Sequence, residues 1–255
     1  MKRKTICRDG VHLSFLDNEK HGPALICLHG HFGCASFYTF MAKVFEGRII
    51  LPDQRGHGLS DHAASYERSD YVEDLRCLIG ELGLSEPILF GHSLGGANAY
   101  QYAATYGNVS MLIIEDIGTE IDGSNEFILA LPESFDSIWD VHEAFKALDR
   151  TLTPAFSESL TYDGVKWKFR FDYADMVESQ RCLNGDYRDD WKKIGCPVLL
   201  MRGGKSPVTT IENMREMIAW NPNASLAIFE NAGHAIHNDE RGVFCESIRR
   251  FLAGS

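Results

Sequence analysis

The sequence predicts an α/β fold, in which helices cover both faces of a mostly parallel β-sheet. Two observations carry this prediction: short apolar runs recur along the chain, and longer segments with helical spacing lie between them. The runs are continuously apolar instead of alternating in polarity, which is typical of strands buried on both faces. Ligand sites of such sheets lie at the carboxyl ends of the strands, so we expect the functional residues there.

Apolar or β-branched runs that end in turn residues are predicted to form the buried strands. They are Ala24 to Leu28, Arg48 to Leu51, Ile88 to Phe90, Met111 to Glu115, Val198 to Met201 and Leu226 to Phe229. The segments with helical spacing lie between or after these runs. They are Tyr71 to Leu82, Ala97 to Tyr106, Ile211 to Trp220 and Val243 to Leu252.

Residues 118–190 interrupt this alternation, because they contain no convincing buried strand. Aromatic-rich segments in this stretch, such as Phe135 to Leu148 and Trp167 to Tyr173, are interpreted as helical. We therefore expect one α/β core, formed by residues 1–117 and 191–255, with residues 118–190 inserted as a helical cap over the functional edge of the sheet. The alternative is that these helices belong to the main layers.

Composition and charge limit the classes of function. The chain has 255 residues, of which 44% are hydrophobic and 24% charged, as expected of one large domain. A net charge of -11 disfavours nucleic acids and anionic membrane surfaces as partners. Seven scattered cysteines without a C-x-x-C pair, and the lack of a signal-peptide core or an 18-residue apolar run, predict a cytoplasmic protein without an anchor.

The clearest chemical motif is a G-x-S-x-G turn at Gly91 to Gly95. An apolar run precedes it and a helix-compatible segment follows it, which is the context of a nucleophile elbow. The glycines relieve crowding at this strained turn, and the new helix N-terminus faces developing negative charge. The motif predicts Ser93 as a nucleophile; the alternative is a Gly-Ser loop or a phosphate-binding turn.

A serine hydroxyl needs a base, and ten histidines are available. His234 is favoured because it follows the last predicted strand in a glycine-containing loop, where its ring can reach Ser93. His237 is the competitor, but it lacks the preceding glycine and leads into the final helix.

An oxyanion hole needs fixed donors, and backbone amides provide them. The Leu94 amide directly follows the nucleophile. The second amide is expected after the strand that ends at Leu28, and we choose His31 for it, with Phe32 as the alternative. His29 ends this strand and is interpreted as a hydrogen-bonded structural residue.

These motifs together resemble the α/β-hydrolase superfamily, in particular its small capped esterases, C–C hydrolases and haloperoxidase-like enzymes. The resemblance rests on four ordered segments and covers nearly the whole chain: His29 to Gly33, Asp53 to Asp61, Gly91 to Gly96 and Gly233 to His237. It implies an eight-stranded sheet, a cap between the sixth and seventh strands, and nucleophile, acid and histidine in that chain order. It also implies that Asp53 and Asp61 belong to a structural turn.

The acid is the uncertain member of the predicted triad. Many members of the superfamily carry it after the seventh strand, but the corresponding segment Val198 to Val208 contains no carboxylate. Lys205 or Ser206 stands about where the aspartate is expected.

Other members carry the acid at the end of the sixth strand, where this chain has Glu115 and Asp116. A carboxylate there can still orient the histidine, so we choose Asp116. Glu115 is the second choice, because in a regular strand it would point to the opposite face. A dyad without an acid and a degenerate site stay open.

These residues predict a serine hydrolase that cleaves a small, largely apolar carboxylic ester or a related acyl compound through an acyl-enzyme. The alternatives are hydrolysis of a C–C bond in a dicarbonyl compound and a ligand sensor with low turnover. No cofactor or metal is predicted, because the histidines lack metal-ligand spacing and no Walker-type loop exists. The oligomeric state and the natural substrate stay open.

Aromatic and aliphatic side chains of the expected cap could line an apolar pocket or pack within the cap itself. They are Phe127, Leu131, Phe135, Trp139, Phe145 and Trp167.

Overall fold

The computed structural model describes residues 1–254 of the chain. Its strands, in chain order, are β1 (Lys2–Arg8), β2 (Val11–Asp17), β3 (Ala24–Leu28), β4 (Arg48–Pro52), β5 (Ile88–His92), β6 (Met111–Glu115), β7 (Glu120–Ile121), β8 (Leu160–Tyr162), β9 (Trp167–Phe169), β10 (Gly185–Asp186), β11 (Val198–Gly203) and β12 (Ala224–Phe229). Its α-helices are α1 (Arg68–Glu81), α2 (Leu94–Tyr106), α3 (Ile138–Ala147), α4 (Pro154–Ser159), α5 (Tyr173–Leu183), α6 (Arg188–Lys192), α7 (Ile211–Trp220), α8 (Ile236–Asp239) and α9 (Arg241–Ala253). Short 3-10 helices span Ala35–Lys43 and Glu126–Ala130.

One eight-stranded sheet forms the centre of the molecule, in the order β1-β2-β4-β3-β5-β6-β11-β12. In this sheet, β4, β3, β5, β6, β11 and β12 pair in parallel with their neighbours in the order given, and β2 is antiparallel to both of its neighbours. Helices pack on both faces, so the predicted fold class is confirmed. Each predicted strand is present, within two residues of its expected ends.

The hairpin of β1 and β2 at the sheet edge is absent from the sequence prediction. β1, the outermost strand, carries four charged side chains and is largely exposed, whereas β2 is largely buried. The signal that identifies it is the turn at Asp9 and Gly10, where both residues have positive φ angles of 50° and 84°.

Alternate residues of the central strands enter two separate hydrophobic cores. Ile26 and Leu28 of β3 pack with α1, α2 and α7, whereas Leu25 and Cys27 pack with the 3-10 helix Ala35–Lys43 and with α9. This alternation is the period of a strand, and it explains why the central strands are apolar throughout.

Residues 118–190 lie between β6 and β11 and contain α3 to α5 with the two small sheets β7–β10 and β8–β9. They build a hydrophobic cluster of their own. It comprises Ile128, Leu131, Phe135, Val141, Phe145, Phe156, Phe169, Phe171 and Met176. Within residues 1–254, no helix combines the length and apolar character needed to cross a membrane.

The helical interpretation of Trp167 to Tyr173 is wrong. Trp167–Phe169 is strand β9, which pairs with β8, and the helix α5 begins only at Tyr173. The aromatic residues of this segment stand at every second position, which is a strand period, and the rings of Phe169 and Phe171 stack with centroids 5.0 Å apart.

Candidate active site

Ser93 occupies the sharp turn between β5 and α2, with φ 52° and ψ -120°. This is an uncommon conformation for a residue with a side chain, and the flanking glycines make it accessible. A Cβ atom at Gly91 would lie 2.2 Å from the carbonyl oxygen of Gly95, and one at Gly95 would lie 2.3 Å from that of Leu28. The crowded backbone therefore holds Ser93 at the N-terminus of α2, where the helix dipole favours negative charge.

Ser93 lines a cavity of about 970 Å³ between the sheet and residues 118–190. His234 lines the same cavity, from the loop between β12 and α8. The ring of His92, the neighbour of Ser93, lies 4.6 Å from the His234 ring, measured between centroids. No hydrogen bond joins the Ser93 hydroxyl to His234 within the described chain.

Asp116 lies directly behind His234. The Nδ1 of His234 is 2.7 Å from Oδ2 of Asp116, whose side chain is fully buried, whereas 31% of the His234 side chain is exposed. With the Nδ1 proton donated to the carboxylate, the Nε2 atom is left to accept a proton. Asp116 follows β6 with φ 50°, so the chain turns sharply at the residue that contacts the histidine.

The loop after β11 supplies further donors to Asp116. The amide of Gly203 and the hydroxyl of Thr209 donate to Oδ1, at 3.1 and 3.0 Å, and the hydroxyl of Ser206 donates to Oδ2. Sequence reasoning missed Thr209 and considered Ser206 only as the residue at the expected place of the acid. The absence of a carboxylate in this loop was the available signal. Lys205 is exposed.

Glu115, the second choice for the acid, contacts a different histidine. Both carboxylate oxygens of Glu115 lie 2.8 Å from Nδ1 of His237, and the His237 amide also donates to it. Both side chains are completely buried. Burial opposes ionisation of Glu115, but the charges of His237 and His92 and the hydrogen bonds from His237 outweigh it and hold the pKa of this carboxyl below its ordinary value.

The two loops that were predicted to bind an oxyanion lie side by side. A Cβ atom at Gly30 would lie 3.1 Å from the Cβ of Ser93. The amides of Leu94, His31 and Phe32 donate to no acceptor within residues 1–254, so the geometry allows either residue of the first loop to pair with Leu94. The His31 ring also lines the cavity, and its Nε2 lies 2.9 Å from the Ser179 hydroxyl.

The remaining polar candidates lie outside the cavity lining. His29 is buried, donates to the Gly30 carbonyl and accepts from the Gln54 amide, and burial lowers its pKa to about 4. Asp53 is buried and accepts from the Ala35 amide at 2.6 Å, and Asp61 accepts from His12 near the surface. His29 and Asp53 therefore hold loops together.

The apolar wall of the cavity includes four phenylalanines, Phe32, Phe37, Phe127 and Phe156. Phe32 and Phe156 stack with centroids 4.4 Å apart, which joins the loop after β3 to helix α4. Of the other expected wall residues, Leu131, Phe135 and Phe145 are buried in the cluster of the inserted residues, Trp139 is 70% exposed, and Trp167 lies outside the lining.

Comparison with known proteins identifies a matching family and several relatives. A family model described as the alpha/beta hydrolase family matches residues 25–246. The sn-1-specific diacylglycerol lipase ABHD11 of Mus musculus is 28% identical, over 94% of this chain and 84% of that protein. The 2-(acetamidomethylene)succinate hydrolase of Mesorhizobium japonicum is 26% identical, over 91% of this chain and 88% of that protein. A crystal structure of E-2-(acetamidomethylene)succinate hydrolase superposes with a TM-score of 0.87, at 24% identity and 99% coverage of both chains.

Proposed function

Because this chain belongs to the alpha/beta hydrolase family, we propose that it is a serine hydrolase that cleaves a small, largely apolar carboxylic ester or a related acyl compound. Ser93 is the nucleophile, His234 the base and Asp116 the acid that orients the base. The amides of Leu94 and His31 stabilise the oxyanion.

The observation that carries the proposal is the contact between Asp116 and His234 beside the strained Ser93 turn. A carboxylate 2.7 Å from Nδ1 keeps the imidazole in the tautomer whose Nε2 can accept a proton. The cavity that contains both Ser93 and His234 has aromatic walls, which favours an apolar substrate. Its volume of about 970 Å³ is sufficient for a small organic molecule.

In the proposed mechanism, the Ser93 oxygen attacks the substrate carbonyl carbon and His234 accepts the hydroxyl proton. The negative charge on the carbonyl oxygen is held by backbone amides that need no rearrangement. When the tetrahedral intermediate collapses, the C–O bond breaks and the alcohol leaves with the proton from His234. A water then attacks the acyl-enzyme with the same histidine as base, which releases the acid and restores Ser93.

We further propose a role for residues 118–190 and a cellular location. Residues 118–190 act as a cap, since Phe127 and Phe156 from this stretch cover the cavity. The location is cytoplasmic, and the finding that all seven cysteines are free thiols supports it, because disulfides are rare in a reducing compartment.

A fluorophosphonate probe tests the proposed nucleophile directly. We expect the wild-type protein to be labelled and to hydrolyse 4-nitrophenyl butyrate, and Ser93→Ala to lose both properties. Ser124→Ala is the matched control, because Ser124 lines the same cavity and its hydroxyl accepts a hydrogen bond from the Glu126 amide. Labelling that persists in Ser93→Ala and disappears in Ser124→Ala would contradict the assignment.

The same preparation separates the alternatives. Preferential turnover of a vinylogous 1,5-diketone over the ester would favour C–C bond hydrolysis, because the same residues can serve that reaction. A wild-type protein that binds ligands but is neither labelled nor active would favour the sensor. The contact of Asp116 with His234 argues against the sensor, because it supplies the carboxylate that the segment Val198 to Val208 lacks.

A further inference from the structure

Arg150 is a cation that the structure holds at the wall of the cavity. The chain leaves helix α3 through Asp149, which has φ 53°, and the Arg150 amide donates to the carbonyl of Phe145. This helix end fixes the point from which the Arg150 side chain departs. Its guanidinium lies 3.7 Å from the centre of the Phe127 ring, and both residues line the cavity.

The contacts of this guanidinium leave its hydrogen-bonding edge free. Among residues 1–254, no carboxylate lies within ion-pair distance of Arg150, and its side chain makes no hydrogen bond. The Phe127 ring covers one face of the guanidinium, and stacking of this kind does not use the N–H donors at the edge. Arg150 is exposed, and its planar guanidinium can hold a carboxylate through two parallel hydrogen bonds.

Arg150 is also the only lysine or arginine in the described lining of the cavity. Phe127, on which it stacks, contacts Phe32 of the oxyanion loop with ring centroids 5.9 Å apart. A single aromatic ring therefore separates the cation from the loop beside Ser93. An acyl compound with its reacting carbonyl near Ser93 and an apolar chain along Phe127 would bring its far end to Arg150.

We infer that Arg150 forms a carboxylate-binding subsite, and that the substrate is an acyl compound with a free carboxylate separated from the reacting carbonyl by a short apolar segment. This inference rests on the proposed hydrolase function, which it narrows to a class of substrate. Arg150 is not a residue of the proposed triad, so the subsite and the hydrolase reaction can be tested separately.

Acidic residues of the lining do not occupy the same place. Glu120 forms an ion pair with Arg188, at 3.5 Å, and Asp239 accepts from the Gly233 amide. Asp122 is adjacent to Gly123, whose amide donates to Asn184, whereas Arg150 lies against Phe127. Arg150 is therefore the position in the described lining where an arginine or lysine side chain can attract a substrate carboxylate.

The experiment compares esters that differ only in charge. Mono-4-nitrophenyl adipate is paired with 4-nitrophenyl methyl adipate, and 4-acetoxybenzoate with its methyl ester, so that the carboxylate is on the acyl side or on the leaving group. We expect Arg150→Met to lower kcat/KM for an anionic ester about tenfold, mainly through KM, because a hydrogen bond to a charged group is lost. The neutral partners should change less than about twofold.

Two variants act as controls. Lys146→Met removes a nearby cation of helix α3 that forms an ion pair with Glu143 and is absent from the described lining of the cavity, so it should leave both esters unchanged. Arg150→Lys keeps the charge but loses the planar fork, and we expect an intermediate effect. Equal losses for charged and neutral esters in Arg150→Met, or a similar effect of Lys146→Met on the anionic ester, would overturn the subsite.

Calorimetric titration with adipate, and with dimethyl adipate as the neutral control, measures binding without turnover. Adipate should bind wild-type protein and Ser93→Ala alike and bind Arg150→Met about tenfold more weakly. If no ester is hydrolysed but adipate binding depends on Arg150, the proposed reaction fails and the subsite stands. If neutral esters are hydrolysed and adipate binding is independent of Arg150, the reaction stands and the subsite fails.

Discussion

Two carboxylates at the end of β6 each bind a histidine, and the two pairs have opposite surroundings. Asp116 contacts His234, which is 31% exposed and lines the cavity, whereas Glu115 contacts His237, and both of these side chains are fully buried. The chemistry of the two pairs is the same: in both, a carboxylate accepts from Nδ1. The two pairs differ in the access of the imidazole to a ligand.

A carboxylate–histidine pair is therefore not by itself a catalytic site. The Nε2 of His237 is buried without a partner among the described residues, and aromatic rings, including that of Phe37, surround it. His237 belongs to α8, directly after the His234 loop, so its bond to Glu115 anchors this loop to the sheet. The pair of Glu115 and His237 thus positions the loop that carries His234. The pair of Asp116 and the partly exposed His234 is the one that we propose for proton transfer.

The largest expected effect on kcat is that of replacing His234, and the matched substitution is that of His237. His234→Ala should lower kcat for 4-nitrophenyl butyrate by about 10⁵-fold, because the base is lost, with a change in unfolding free energy of about 1 kcal/mol or less. His237→Ala should lower the unfolding free energy by about 3 kcal/mol, because Glu115 is left buried and unpaired, while kcat falls less than about tenfold. Steady-state kinetics and urea unfolding measure both, and the reverse pattern would break the comparison.

The next effect concerns the acid. Asp116→Asn should lower kcat by about 10⁴-fold, because the amide no longer stabilises the imidazolium or selects its tautomer. Glu115→Gln is the matched variant at the neighbouring position and should retain kcat within about tenfold. If Glu115→Gln were the more damaging substitution for kcat at a temperature where both variants are folded, our choice of acid would be wrong.

A third test measures how the contribution of Glu115 to the unfolding free energy depends on pH. Since the pKa of Glu115 is lowered in the folded protein, its stabilising contribution is present above its ordinary value of 4.5 and is lost as the pH falls through the folded value. At pH 7, Glu115→Gln should cost about 3 kcal/mol of unfolding free energy. The difference from wild type should shrink below about pH 5. A constant difference from pH 7 to pH 3, measured by urea unfolding, would contradict this ionisation state.

The smallest expected effect is at the donors around Asp116. Ser206→Ala removes one hydrogen bond to the carboxylate oxygen that also contacts His234, so we expect kcat to fall about tenfold with little change in KM. Ser225→Ala provides a control, because its hydroxyl donates to a backbone carbonyl at the other end of β11. Equal kcat values for both variants would show that the Ser206 hydroxyl does not orient the acid.

Local patterns predicted much of the fold and narrowed the candidate site. The continuous apolar runs located the central strands, and the strand, Gly-Ser-Gly turn and helix predicted the position of Ser93 in the fold. The edge hairpin was missed because β1 is mostly polar and β2 alternates in polarity, so neither strand is a continuous apolar run. The turn at Asp9 and Gly10 was the available signal. Trp167 to Tyr173 was predicted as helical because the segment is rich in aromatic residues, whereas the spacing of these residues at every second position indicates a strand.

The sequence by itself determined that the G-x-S-x-G turn, the loop His29 to Gly33 and the late histidine His234 follow strands, since each of these features depends on a short stretch of chain. It left Asp116 and Glu115 as neighbours with the same chemistry. Only the tertiary structure decided which of them contacts His234, because that choice depends on the sharp turn at Asp116 and on donors that the loop after β11 brings from about 90 residues away. The same is true of Arg150, whose position in the cavity depends on how residues 118–190 fold back over the sheet.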